Sequence, residues 1–193
     1  MADTNKIKYG IKNVYYAKGT LTSTGTMTYT TPVALPGAVS LSLSPEGETS
    51  PFYADNIVYY TSVSNSGYSG SLELAKIPDS FLKDCLGYIE DSKGVLLEDA
   101  NATAANFALL FQFEGDAHAK RCVMYNCVAE RPETNGNTKE AAITPETETI
   151  NLTCTTIYNS VLDKDLVKAS CTPAQTSQYS NWLTAVYQTT TTT

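Results

Sequence analysis

Threonine occupies every even position of residues 20–30, which read TLTSTGTMTYT. Because successive side chains of a β-strand point to opposite faces, this spacing places hydroxyl groups along one whole face of an extended segment. Threonine is abundant throughout, with 27 among the 193 residues, and the chain also has 13 tyrosines. Both residue types favour a pleated, half-buried surface. The pattern therefore predicts a mainly β protein.

Period-two alternation or short apolar runs predict about eight to ten short strands. The clearest are 38–44 (AVSLSLS), 68–76 (YSGSLELAK), 107–113 (FALLFQF) and 120–130 (KRCVMYNCVAE). One helix is predicted over 78–87, with Asp79 as its N-cap, Gly87 after its C-terminus, and an apolar face formed by Phe81 and Cys85. This combination is typical of a β-sandwich or rolled barrel with one short flanking α-helix.

The pattern fits one domain over residues 1–193. We expect a flexible N-terminal arm at about 1–8, an extended loop at about 44–66 and a frayed tail at about 188–193. The first residues lack the apolar run of a signal peptide, and no segment is long and apolar enough to predict a membrane span.

The charge and the residue types argue against a basic nucleic-acid surface, a catalytic site and a metal site. A net charge of −7 has the wrong sign for a basic nucleic-acid surface. The single histidine, His118, lies in a predicted turn, and Asp163 and Asp165 flank Lys164 in another, where solvated carboxylates are expected. The stretch 67–71 (GYSGS) lacks the final glycine of a nucleophile elbow. We therefore predict no enzyme activity, no cofactor and no metal site.

Five cysteines are scattered along the chain and form no C-x-x-C motif. This spacing argues against a zinc or redox motif and favours small, mostly buried, reduced thiols. Cys122 and Cys127 are five positions apart, so we expect them on opposite faces of one strand. The sequence suggests no role for any of the five.

A set of short segments resembles the major tail proteins, or tail-tube proteins, of bacteriophages with long non-contractile tails. The segments occur in the family's order and span about residues 6 to 171, whereas the part after Cys171 matches less clearly. They are 9–17 (YGIKNVYYA), 35–41 (LPGAVSL), 52–56 (FYADN) with Tyr59 and Tyr60, 67–70 (GYSG), 74–78 (LAKIP), 107–111 (FALLF), and 125–127 (YNC) followed by Arg131 and Pro132.

The resemblance implies a structural virion protein that assembles in the host bacterial cytoplasm. Copies would form hexameric rings that stack into a tube around a tape-measure protein and meet tail-end proteins. DNA would later pass through the lumen without specific binding. The resemblance also implies that a long loop contacts the neighbouring ring and that terminal arms bridge subunits. The corresponding loop candidates are Phe52, Tyr53, Asp55, Asn56, Tyr59 and Tyr60, and the arm candidates are Lys6, Lys8 and Tyr9.

An acidic, hydroxyl-rich lumen would repel phosphate, which gives the net charge of −7 a function in such a tube.

Two questions stay open at this point. The loop aromatics fit ring contact, but they also fit ordinary core or edge positions of a sandwich. The chain as a whole also fits another tail component of related fold, such as a terminator or baseplate protein, or a carbohydrate- or protein-binding β module.

Overall fold

A computed structural model describes residues 9–114, 119–138 and 145–190. These residues form fifteen β-strands and two short helices. In chain order they are β1 (Ile11–Leu21), β2 (Met27–Tyr29), β3 (Val33–Ala34), β4 (Ala38–Glu46), β5 (Thr49–Ala54), β6 (Ile57–Val63), β7 (Gly67–Leu74), α1 (Asp79–Leu86), β8 (Ile89–Glu90), β9 (Leu96–Leu97), β10 (Phe107–Phe113), β11 (Arg121–Ala129), β12 (Glu148–Thr155), β13 (Ile157–Asn159), β14 (Lys164–Leu166), β15 (Lys168–Cys171) and α2 (Thr176–Asn181).

Nine of these strands form one antiparallel sheet with the order β2-β1-β10-β11-β12-β7-β4. In addition, β3 pairs with β1, and β15 pairs with the first half of β11. The strands β1 and β4 are far apart in this order but contact each other, so the sheet is rolled around its own inner face. The prediction of a mainly β fold with a flanking helix is confirmed.

The inner face of the rolled sheet holds the main core. Along β10, Phe107, Leu109 and Phe111 point into this core, whereas Ala108 and Leu110 point to the other side of the sheet. Both sets are buried, which explains why the strand reads as a continuous apolar run rather than as an alternating one.

Helix α1 closes the inner core. Its Phe81 makes edge-to-face contacts with Tyr16, at 5.1 Å between ring centroids, and with Phe107, at 5.4 Å. The helix lies where the sequence predicts it, and Gly87 adopts the left-handed conformation, with φ 76°, that ends a helix. The predicted N-cap is wrong, because the cap position is Pro78 and Asp79 is the first helical residue.

The prediction that Cys122 and Cys127 lie on opposite faces is also wrong. Between Leu109↔Met124 and Phe107↔Cys127, strand β11 contains one residue more than β10, which is the signature of a β-bulge. The extra residue reverses the alternation, so that Cys122 packs against the inner core and Cys127 lies within it. Spacing counted along an uninterrupted strand does not reveal such a bulge.

The C-terminal segment covers the other face of β1, β10 and β11. Trp182, only 2% exposed, packs there with Ala108, Leu110 and Val123 and stacks on Tyr187 at 5.5 Å. This second core makes the segment after Cys171 part of the domain.

Candidate functional site

The strands β5 and β6 form a hairpin that continues the ribbon of β4 and β7 beyond the rolled sheet. At its base the Ser66 backbone N–H donates to the Glu46 carbonyl at 2.8 Å, and the Ser64 N–H donates to the Glu48 carbonyl at 3.0 Å. Within the described residues, β5 and β6 pair only with each other. At the ordinary rise per strand residue, the hairpin projects about 20 Å.

A two-residue turn, Asp55-Asn56, forms the tip of the hairpin. Both residues have positive φ, 52° and 62°, as the type I′ hairpin turn requires. Asn and Asp tolerate this conformation better than other non-glycine residues. The segment predicted as an extended loop over 44–66 is therefore mostly regular β-structure. One register shift, after Phe52↔Tyr60, makes Tyr59 the extra residue of β6.

The aromatic side chains of the hairpin are exposed on both of its faces. Phe52 is 62% exposed, Tyr53 63%, Tyr59 72% and Tyr60 64%. Three aliphatic side chains of the same hairpin, Ile57, Val58 and Val63, are also more than half exposed. The chain's own core therefore does not bury these residues, in contrast to one of the two readings that the sequence leaves open. An exposed apolar surface of this kind is a candidate interaction site.

A second surface is the outward face of β4, β7 and β12. The register aligns three polar rows across these strands: Ser40–Glu73–Thr149, Ser42–Ser71–Asn151 and Ser44–Ser69–Thr153. The three strands contain no lysine or arginine, and their charged residues are Glu46, Glu73 and Glu148. Glu148 is aligned with the buried Leu74 and so belongs to the inner side of the sheet. The outward face is therefore rich in hydroxyl groups, and its charged residues, Glu46 and Glu73, are both negative.

Hydrogen bonds between neighbouring strands hold the carboxylates of this face. The Thr147 hydroxyl donates to Glu73 Oε1 at 2.6 Å and the Ser40 hydroxyl donates to Glu73 Oε2 at 2.8 Å. These bonds, the one from Thr147 foremost, lower the pKa of Glu73. Ser69 likewise donates to Glu46. The sequence shows the alternating serines, but it does not show which strands align them.

Of the predicted arm residues, Tyr9 is 64% exposed at the start of the described chain. Lys6 and Lys8 lie outside the described residues, as does His118.

The described residues include no group of three His, Cys, Asp or Glu side chains that could hold a metal ion. Ser69, the central serine of GYSGS, lies within strand β7 and not on a strand-to-helix turn. Asp163 lies in the turn between β13 and β14, where it accepts a hydrogen bond from the Tyr158 hydroxyl at 2.9 Å. None of the described helices is long and apolar enough to cross a membrane.

Comparison with known proteins shows a match to a family model and a similarity to a solved structure. A family model described as phage tail tube protein matches residues 2–120. No curated protein matches the chain. The cryo-EM structure of the anti-feeding prophage cap, described as a tube-terminating cap, is similar with a TM-score of 0.40 and 11% sequence identity. The similarity covers 89% of this chain and 99% of that one.

Proposed function

The chain belongs to the phage tail tube protein family, and we propose that copies of it form rings that stack into the tube of a long, non-contractile tail. Membership makes it a structural component of a phage tail. Six subunits per ring, assembly in the host cytoplasm and a non-contractile tail are parts of the proposal that rest on the sequence resemblance. The single observation that carries it is the exposed aromatic hairpin.

The hairpin has a large apolar surface and no partner within the described chain. An isolated two-stranded hairpin is at best marginally stable in water, because it cannot bury its own side chains. In the proposed tube, Phe52, Tyr53, Tyr59 and Tyr60 pack against a subunit of the neighbouring ring, while Asp55 and Asn56 shape the tip. That contact removes the aromatic surface from water and orders the hairpin in one step.

We assign the outward face of β4, β7 and β12 to the lumen. A conduit has to keep DNA mobile, and a surface of hydroxyls and carboxylates offers no cation to replace the counterions of the phosphate backbone. The lowered pKa of Glu73 keeps its negative charge over a wider pH range.

The remaining partners follow from the same assembly. The tape-measure protein would occupy the lumen before DNA, and tail-end proteins would contact the last rings. The N-terminal arm with Lys6, Lys8 and Tyr9 would bridge adjacent subunits. In this role the protein works by association and needs no catalytic group, cofactor or metal ion.

Electron microscopy of the purified protein tests the proposal. We expect rings, and tubes of even diameter whose length grows with protein concentration. A terminator would instead form single rings that do not grow. A protein that stays monomeric at high concentration, and that mass spectrometry does not find in phage tails, would contradict the proposal.

The lumen assignment has its own test. The double variant Glu46→Lys and Glu73→Lys places cations on the proposed lumen face. Asp163→Lys with Asp165→Lys makes the same charge change in the β13–β14 hairpin, outside the three strands of this face. We expect only the first variant to retain DNA in its tubes, in a manner that added salt reverses. Equal retention by the two variants would place the lumen elsewhere.

A further inference from the structure

Two cysteines face each other in the inner core at the junction of β11 and β12. Cys127 and Cys154 are direct partners in the antiparallel register. Their Sγ atoms are 2.7 Å apart, and both residues are fully buried, at 0% exposure. The odd number and wide spacing of the cysteines in the sequence give no sign of this pair.

The backbone geometry at this point suits a covalent bond. Directly paired residues of an antiparallel ladder have Cα atoms about 4.5–5.5 Å apart, which lies within the range that disulfides span. The two sulfur atoms need to approach by less than about 1 Å more to reach bonding distance. The β-bulge in β11 contributes, because it turns Cys127 towards the inner core where Cys154 already lies.

The register of the described strands aligns no other two cysteines with each other. Cys171 is aligned with Arg121 and Cys122 with Ser170, so the two thiols lie one step out of register. They also belong to opposite faces of the sheet, since Cys171 lies in the outer core and Cys122 packs against the inner one. Cys85 lies on α1. The geometry therefore selects one bond among the possible pairings.

We propose that Cys127 and Cys154 form a disulfide when the chain folds in the presence of a small-molecule disulfide such as oxidised glutathione. The bond would fasten β11 to β12 at the point where β11 changes partner from β15 to β12. This inference does not depend on the proposed tube.

The reaction proceeds by two exchanges. One protein thiol loses its proton, and its thiolate attacks a sulfur of oxidised glutathione, forming a mixed disulfide and releasing one glutathione thiolate. The second protein thiolate then attacks the protein sulfur of that mixed disulfide and releases the second glutathione. Two protein thiols are oxidised and one glutathione disulfide is reduced to two thiols, and the two protons that the protein thiols lose are taken up by the two released glutathione thiolates.

Burial governs when this exchange occurs. Burial, followed by the hydrogen bond with Cys154, raises the pKa of Cys127 well above its ordinary value, so the reactive thiolate is scarce in the folded protein. We expect folded, reduced protein to react slowly and protein that is refolding to react quickly.

The experiment refolds the full chain in a buffer of reduced and oxidised glutathione and measures intact mass and non-reducing peptide maps. We expect the loss of two hydrogen atoms and a link between Cys127 and Cys154. The bond closes a loop of 27 residues, and the oxidised protein should unfold about 10 °C above the reduced one.

Cys85→Ala is the matched control, because it removes a fully buried core thiol outside the pair and should leave both effects intact. Cys127→Ala and Cys154→Ala should each abolish both effects. If the wild type keeps all its thiols after refolding in this buffer, or if the peptide map joins other cysteines, the proposal is wrong.

Discussion

The rolled sheet and the β5–β6 hairpin use the same kinds of side chain in opposite ways. In the sheet, Phe81 and Phe107 are at most 1% exposed and contact each other edge to face. In the hairpin, Phe52 and Tyr60 are directly paired across the strands, yet each is more than 60% exposed. Aromatic content therefore does not distinguish the two regions, whereas the number of packed layers does.

The apolar groups of the sheet are buried when a single chain folds, whereas those of the hairpin can be buried only by association with another molecule. The sheet has its inner face filled by α1 and part of its outer face covered by the C-terminal segment, so its apolar groups are already removed from water. The hairpin has no second layer within the described chain. Its apolar groups stabilise the molecule only when another molecule covers them, which is what a self-assembling protein requires.

The largest expected effect is on the core. Phe81→Ala removes a side chain that contacts both Tyr16 and Phe107, and we expect it to lower the free energy of unfolding by about 3–5 kcal/mol. Chemical denaturation of the reduced protein measures this change. A loss below about 1 kcal/mol would mean that α1 does not complete the core.

A smaller effect is expected from Tyr16→Phe. This substitution keeps the ring but removes the hydroxyl that donates to Asp84 Oδ2 at 2.7 Å. We expect a loss of about 1 kcal/mol in the free energy of unfolding, the ordinary value of one hydrogen bond. A loss as large as that of Phe81→Ala would show that the hydroxyl does more than anchor the helix to β1.

Substitutions in the hairpin should impair assembly while hardly changing the free energy of unfolding. The double variant Tyr59→Ser and Tyr60→Ser changes only exposed side chains, so we expect the free energy of unfolding of the monomer to change by no more than about 0.5 kcal/mol. Tube growth, followed by light scattering, should nevertheless fall sharply. Normal growth of this variant would remove the aromatic side chains from the account of ring contact.

The smallest effect concerns Glu73 on the polar face. Because its folded pKa lies below the ordinary value, it contributes stability above its unfolded pKa, and this contribution is lost as the pH falls through the folded value. NMR titration of the side-chain carboxyl should give a midpoint below about 4.3, the ordinary value for glutamate. Thr147→Ala should raise this midpoint, and more than Ser40→Ala does.

The sequence predicts the regular parts of the fold because their periodicity is local. The alternation in 40–44, the apolar run 107–113 and the apolar face and terminal glycine of α1 each depend on neighbouring residues. At the start of 38–44 the predicted alternation is wrong, because a register shift between Ala38 and Ser40 leaves Val39 exposed. The β-bulges in β6 and β11 were not predicted, since they depend on how two distant strands align. Each bulge reverses which side chains share a face, and the bulge in β11 also brings Cys127 into the inner core.

The sequence predicts one of the two candidate surfaces in part and does not predict the other. The residues of the hairpin were identified from the family resemblance, but their exposure was not, because FYADNIVYY also fits a buried strand. The polar face was missed, since its three rows combine residues from β4, β7 and β12 that are up to about a hundred positions apart. Only the antiparallel register brings them together.

Deleting the hairpin tests the central claim most directly, namely that it serves assembly and not folding. Residues 48–64 would be replaced by two glycines, which the close approach of the strands at Glu46 and Ser66 allows. We predict a folded subunit whose thermal unfolding midpoint stays within about 3 °C of the wild type, and electron micrographs without tubes. Tubes of normal diameter and length from this variant, or a chain that no longer folds, would contradict the account.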